Sequence, residues 1–158
     1  MTPFPRRALY GAGLAAVLTA GTVLVACGSD GTAAVARLSV VDSYIPLPAS
    51  PNGMAAGYLT VRNDGAGGDE LVGVRSSGAS SVTMHRSTEQ TMEEVSSFAV
   101  PANGALQLAR GGNHLMIMGW AKPPAVGDRL DLELTFAKGE TIAVQVPVQP
   151  LTYRPGSQ

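Results

Sequence analysis

At 158 residues, 45% hydrophobic and 15% charged, with a net charge of −1, the chain has the make-up of one ordinary folded domain. Eleven basic residues set against twelve acidic ones give no basic stripe for nucleic acid, and a single cysteine excludes an intrachain disulfide.

The first 26 residues read as an export signal. Arg6 and Arg7 supply a positive start, and Leu9 to Ala26 is uncharged and rich in Ala, Gly, Leu and Val. It ends in Leu24-Val25-Ala26-Cys27, which resembles the bacterial lipobox. That resemblance implies a signal peptide over 1–26 and lipidation of Cys27, and so an extracytoplasmic domain anchored to the cell membrane. A plain signal peptide, or a membrane span with an incidental cysteine, is the alternative. Arg6-Arg7 also suggests the twin-arginine route, but its flanks fit poorly. Without Arg6 and Arg7, nine basic residues face twelve acidic ones, a mature charge of −3. With Cys27 lipidated the mature domain has no thiolate to offer a metal or a substrate.

Residues 27–36 form the lipidated cysteine and a short tether, small and polar from Ser29 to Ala34. From Arg37 the chain breaks into short apolar stretches separated by Gly, Pro, Asn and Asp. Strands are expected at Leu38–Ile45, Ala55–Arg62, Leu71–Val74, Ser81–His85, Met92–Val100, Ala105–Leu108, His114–Trp120, Leu130–Phe136 and Thr141–Val148. Pro46–Gly53 and Asn63–Gly68 read as loops or turns. About nine strands and no amphipathic helical period predict an all-β sandwich or small barrel over 37–149, with 150–158 as a flexible tail.

Both histidines lie beside methionines: Met84-His85, and His114-Leu115-Met116-Ile117-Met118, with Met92 between. Alternation on a strand projects His114, Met116 and Met118 together and turns Leu115 and Ile117 away. His85 and Met92 complete a set of two imidazoles and two thioethers if their strands or the connecting loop lie adjacent. Such a soft, neutral set suits copper, Cu(I) above all. Zinc is disfavoured, since thioethers bind it poorly and there is no cysteine to help. The competing reading makes each methionine a core filler and each histidine an ordinary polar residue. Met84 should face the opposite way from His85 and join the core, and Trp120 should pack the barrel. An enzyme is not expected. Ser80, Ser81, Asp128 and Glu133 are scattered, and the neighbours in Asp69-Glu70 and Glu93-Glu94 must face apart.

The stretch from Met84 to Val148 resembles the periplasmic copper chaperone family PCu(A)C. Met92 is followed by twenty-one residues and then His114-Leu115-Met116, as in that family. Tyr58-Leu59-Thr60-Val61-Arg62-Asn63, Pro101-Ala102-Asn103-Gly104, Gly111-Gly112-Asn113-His114-Leu115-Met116-Ile117-Met118-Gly119, Lys122-Pro123 and Gly127-Asp128 match further family segments. One departure stands out: His85 and Met92 enclose six residues where the family has about ten, a shortened hairpin tip. The resemblance implies a cupredoxin-like Greek-key barrel and copper ligation by His85, Met92, His114 and Met116, with Met118 as a further candidate. It also implies delivery by ligand exchange to the Cu(A) centre of cytochrome c oxidase, alongside a Sco-type thiol partner. Copper buffering or resistance is an alternative use of the same site, and a metal-free envelope interaction module is another. Blue-copper electron transfer would need a cysteine ligand that the mature domain lacks.

Overall fold

The computed structural model describes residues 33–156, so the expected export signal, Cys27 and most of the expected tether lie outside the described residues. Ten strands follow in order: β1 Leu38–Pro46, β2 Ala55–Asn63, β3 Asp69–Arg75, β4 Ala79–Ser87, β5 Met92–Glu94, β6 Phe98–Val100, β7 Gly104–Leu108, β8 Asn113–Trp120, β9 Arg129–Phe136 and β10 Thr141–Gln149. The described residues contain no helix.

The strands form one curled sheet in the order β5-β4-β8-β2-β1-β10-β9-β3-β6, with β7 also paired to β2. Neighbours are antiparallel except β1 and β10, which run parallel. β1 can reach both β2 and β10 because it is kinked: Asp42 adopts φ 52° and the β1–β2 register shifts between Val41 and Tyr44. Apart from the exposed β5, the strands turn apolar residues inward. Leu59, Val61, Leu115, Ile117 and Met84 from one side meet Leu71, Val100, Leu132, Leu134, Phe136 and Val146 from the other, all buried. The expected all-β, cupredoxin-like architecture is what forms.

Nine expected strands become ten at one place. Met92–Val100 is not continuous: β5 pairs with β4, whereas β6 pairs with β3. Between them the chain bends at Ser96, after the Val95 N–H has bonded to the Met84 carbonyl and the Val95 side chain has packed on the core. Val95 and Phe98 thus anchor to different parts of the sheet, a choice made by tertiary packing. Trp120 packs against the core as expected and donates its indole N–H to the Gly53 carbonyl at 3.2 Å.

Asn63 closes one end of the barrel. Its side chain is 1% exposed and fully engaged. Oδ1 accepts from the backbone N–H groups of Arg37 and Gly65, and Nδ2 donates to the carbonyls of Gly67 and Pro101. The incoming segment Ala34–Arg37 lies so close to the β2–β3 turn that a Cβ on Gly67 would come within 2.1 Å of the Ala34 carbonyl oxygen. The segment after β10, expected to be a flexible tail, is fastened through its first residues. Tyr153 packs edge-on to Tyr44, centroids 5.1 Å apart, and Arg110 donates to the Leu151 carbonyl.

Candidate metal centre

The register of three strands builds the site. β4 and β8 pair His85 directly with His114, Thr83 with Met116 and Ser81 with Met118. On the other flank of β4, His85 faces Glu94 and Ser87 faces Met92. Positions two apart share a face, so His85, His114, Met116, Met118, Met92 and Glu94 all project from the same side of this layer. Leu115, Ile117 and Met84 project into the core, each 6% exposed or less. Alternation had predicted this division.

His85 occupies the middle. It stands opposite His114 and diagonal to both Met116 and Met92, a separation of roughly 7–8 Å between Cα atoms that long side chains bridge. The register therefore brings together all four residues expected to share a site. The shortened tip from Thr88 to Thr91 does not displace Met92. Thr88 N–H bonds to the Thr91 carbonyl at 2.8 Å and the two hydroxyls meet at 3.0 Å, a closed turn that keeps β5 in register with β4. Met92 is well exposed, whereas Met116 and Met118 are half-buried.

The imidazoles are held, each by one nitrogen. His114 is 7% exposed, and its Nδ1 lies 3.0 Å from the Gly112 carbonyl oxygen. A carbonyl can only accept, so Nδ1 carries the proton and Nε2 keeps its lone pair. His85 Nε2 lies 2.9 Å from the Thr83 hydroxyl, and its Nδ1 is buried without a hydrogen-bond partner among the described residues. A buried polar atom left unmet costs about 1–3 kcal/mol, and a ligand to that nitrogen would remove the cost. The two rings stack with centroids 5.7 Å apart and planes 23° from parallel. Each ring thus has one nitrogen held by a neighbour, as outer hydrogen bonds hold the rings of metal-binding histidines.

Among the described residues, no three His, Cys, Asp or Glu side chains stand where they could hold a metal together. Around the pair, Glu93 turns away to Arg86 at 3.6 Å, so the two adjacent carboxylates do face apart. Glu94 alone lies on the site's side. Asp128 pairs with Lys122 at 3.2 Å and accepts from the Ala125 N–H. Those two contacts hold its carboxyl below the usual range, the backbone bond first.

Sequence reasoning missed the two positioning groups, Thr83 and Gly112. Thr83 was open to discovery, since it lies two residues before His85 and so on the same face. The Gly112 carbonyl was not, because its aim depends on the Ala109–Asn113 loop. That loop is braced by Gly112 N–H to Ala109 and Ala109 N–H to Asn113. Arg110, inside the loop, lies over the Tyr58 ring at 5.5 Å. Burial pushes the Tyr58 phenol above its ordinary value, against a smaller opposing pull from Arg110.

Comparison with known proteins gives the same frame. A family model described as "Putative lipoprotein LpqE-like" matches residues 38–148. "Putative lipoprotein Lxx21020" of Leifsonia xyli subsp. xyli is 40% identical over 108 residues, and the match spans 65% of this chain and 65% of that protein. Among solved structures, the copper-bound PCuAC domain from PmoF2 superposes with a TM-score of 0.64 at 22% identity, over 72% of this chain and 93% of that domain. The solution structure of CuI-DR1885 from Deinococcus radiodurans gives 0.60 at 27% identity, over 78% of this chain and 85% of the other. The PCuAC likeness read from the motifs is thus carried by the fold as well.

Proposed function

The chain belongs to the LpqE-like lipoprotein family, and from that premise we propose that it is an extracytoplasmic copper carrier. In this reading Cys27 bears the lipid, and His85, Met92, His114 and Met116 hold one Cu(I). The observation that carries it is the state of His85: a buried, unpartnered Nδ1 in a ring that faces His114 and lies diagonal to two methionines. Support comes also from structural relatives whose names state bound copper, the PmoF2 domain and CuI-DR1885.

Two imidazoles and two thioethers are uncharged, suit Cu(I) in trigonal or tetrahedral geometry, and yield it to a stronger ligand set. Thioethers also suit an oxidising compartment, where a thiolate site would be lost to disulfide. Transfer is a stepwise exchange in which acceptor thiolates replace His and Met donors. The exposed Met92 is the donor an incoming ligand reaches first. The acceptor in this reading is the Cu(A) centre of cytochrome c oxidase, reached with a Sco-type thiol protein, and confinement to a membrane surface raises the effective concentration of both.

The test is an anaerobic Cu(I) titration of residues 28–158 against a competing chelator, beside a His114→Ala, Met116→Ala variant. Tight one-to-one binding lost in the variant is expected. Weak binding indifferent to those substitutions would leave a membrane-tethered interaction module as the better description.

A further inference from the structure

The face that carries the two histidines continues toward the other end of β8, and what it carries there is sulfur. β2 and β8 pair Ala55 with Ile117 and Ala56 with Met116. Met54 precedes the first residue of β2, and continuing the same register one step past the end of the strand would set it beside Met118. The chain is still against β8 at that point, since the Gly53 carbonyl accepts from the Trp120 indole on β8. Met54 is 65% exposed and so has no packing role. Around these thioethers the neighbours are small: Ser81 opposite Met118, and Thr83 and Ala56 on either side of Met116. Met116 is two residues from Met118 on the same side of the strand.

We propose that Met54, Met118 and Met116 form a second station for a soft monovalent ion, Cu(I) or Ag(I), adjoining the imidazole pair, with Met116 common to both. Three neutral thioethers match the preference of such an ion and hold it less tightly than a set containing imidazole. The shared Met116 lets an ion move between stations by exchanging its other ligands while one bond is kept. The thioether station thus serves as the entry or exit step for the histidine site. The inference rests on the proposed His/Met site only for that sequence of use, since the sulfur cluster stands on its own register and exposure.

The test uses Ag(I), a redox-silent probe, added to the full chain in detergent micelles carrying 13C-methyl methionine. A His85→Ala, His114→Ala variant should still bind Ag(I), with the Met54, Met116 and Met118 methyl signals shifting together. Adding Met54→Leu and Met118→Leu to that variant should weaken the residual binding by about tenfold or more. Met54→Leu alone in the otherwise native chain should leave its tight site in place. No Ag(I) binding by the double-alanine variant would overturn the proposal, as would Met54 and Met118 signals that stay still while Met116 moves. Response of Met54 and Met118 in the native chain with no response at Met92 would uphold the thioether station and sink the histidine site.

Discussion

The Gly112 carbonyl oxygen receives two hydrogen bonds at once, from His114 Nδ1 at 3.0 Å and from the Ser87 backbone N–H at 3.2 Å. One peptide group thus fixes the tautomer of one imidazole and ties it to the strand that presents the other. The spacing between His114 and His85 is set by backbone, and side-chain packing is left to tune the rest.

Thr83 performs the matching task for His85 with a hydroxyl, which can be removed. Thr83→Val keeps the strand shape and deletes the Nε2 partner at 2.9 Å. Copper affinity should fall roughly 10–100-fold, the usual effect of losing a partner behind a metal-binding histidine. Thermal stability should change little, and Thr83→Ser should restore the affinity. An unchanged dissociation constant in Thr83→Val would show that the hydroxyl does not orient the ring.

Adjacent residues on β8 should fail in opposite ways. Leu115 is 0% exposed, so Leu115→Ala leaves a cavity and should cost about 2–5 kcal/mol in denaturant unfolding. Met116→Leu changes little in volume and should cost under about 1.5 kcal/mol, yet should lose most Cu(I) binding. Equal stability losses in the two variants would contradict the division of faces.

Asn63 is predicted to matter for stability alone. Replacing it with Ala leaves four backbone groups without their partner, those of Gly65 and Gly67 buried and those of Arg37 and Pro101 part-buried. The expected loss is at least about 3 kcal/mol, given about 1–3 kcal/mol for each buried group left unmet and partial relief by water. Copper affinity of the fraction that remains folded should match the native chain, measured by competition below the melting temperature.

Tyr58 predicts an alkaline weakness. Burial raises its phenol, so the folded chain holds that proton more tightly than the unfolded one. Stability from this group is complete below the unfolded value of about 10 and declines as pH rises from there through the folded value. Urea midpoints should fall above about pH 10, and Tyr58→Phe should flatten the fall. A decline of equal steepness in Tyr58→Phe would assign it to other groups.

Strand positions were legible because alternation is a local property. Leu130, Leu132, Leu134 and Phe136 announce β9 without reference to any other residue. The break between β5 and β6 was passed over, although Val95 falls off the two-residue period that Met92, Phe98 and Val100 share. The attachment of Val95 to Met84 and of Phe98 to Leu71 separates the two strands. The site divides the same way. His-x-Met on one face follows from the period of a strand, whereas the His85–His114 rung follows from register, which spacing along the chain does not encode. The tail carried a readable sign in Tyr153, an aromatic residue that found Tyr44.

The proposed donors come from β4, β5 and β8, with Met54 just ahead of β2, while β3, β6, β9 and β10 contribute only wall and core. The proposed chemistry is thus confined to one half of the shell, while enclosure is shared by both. Metal preference can drift through small changes at Ser81, Thr83 or Ala56 without loosening the closing strands, and those strands can be tuned for heat or proteolysis without disturbing the metal. Two traits that trade against each other in many proteins are, in this one, free to evolve apart.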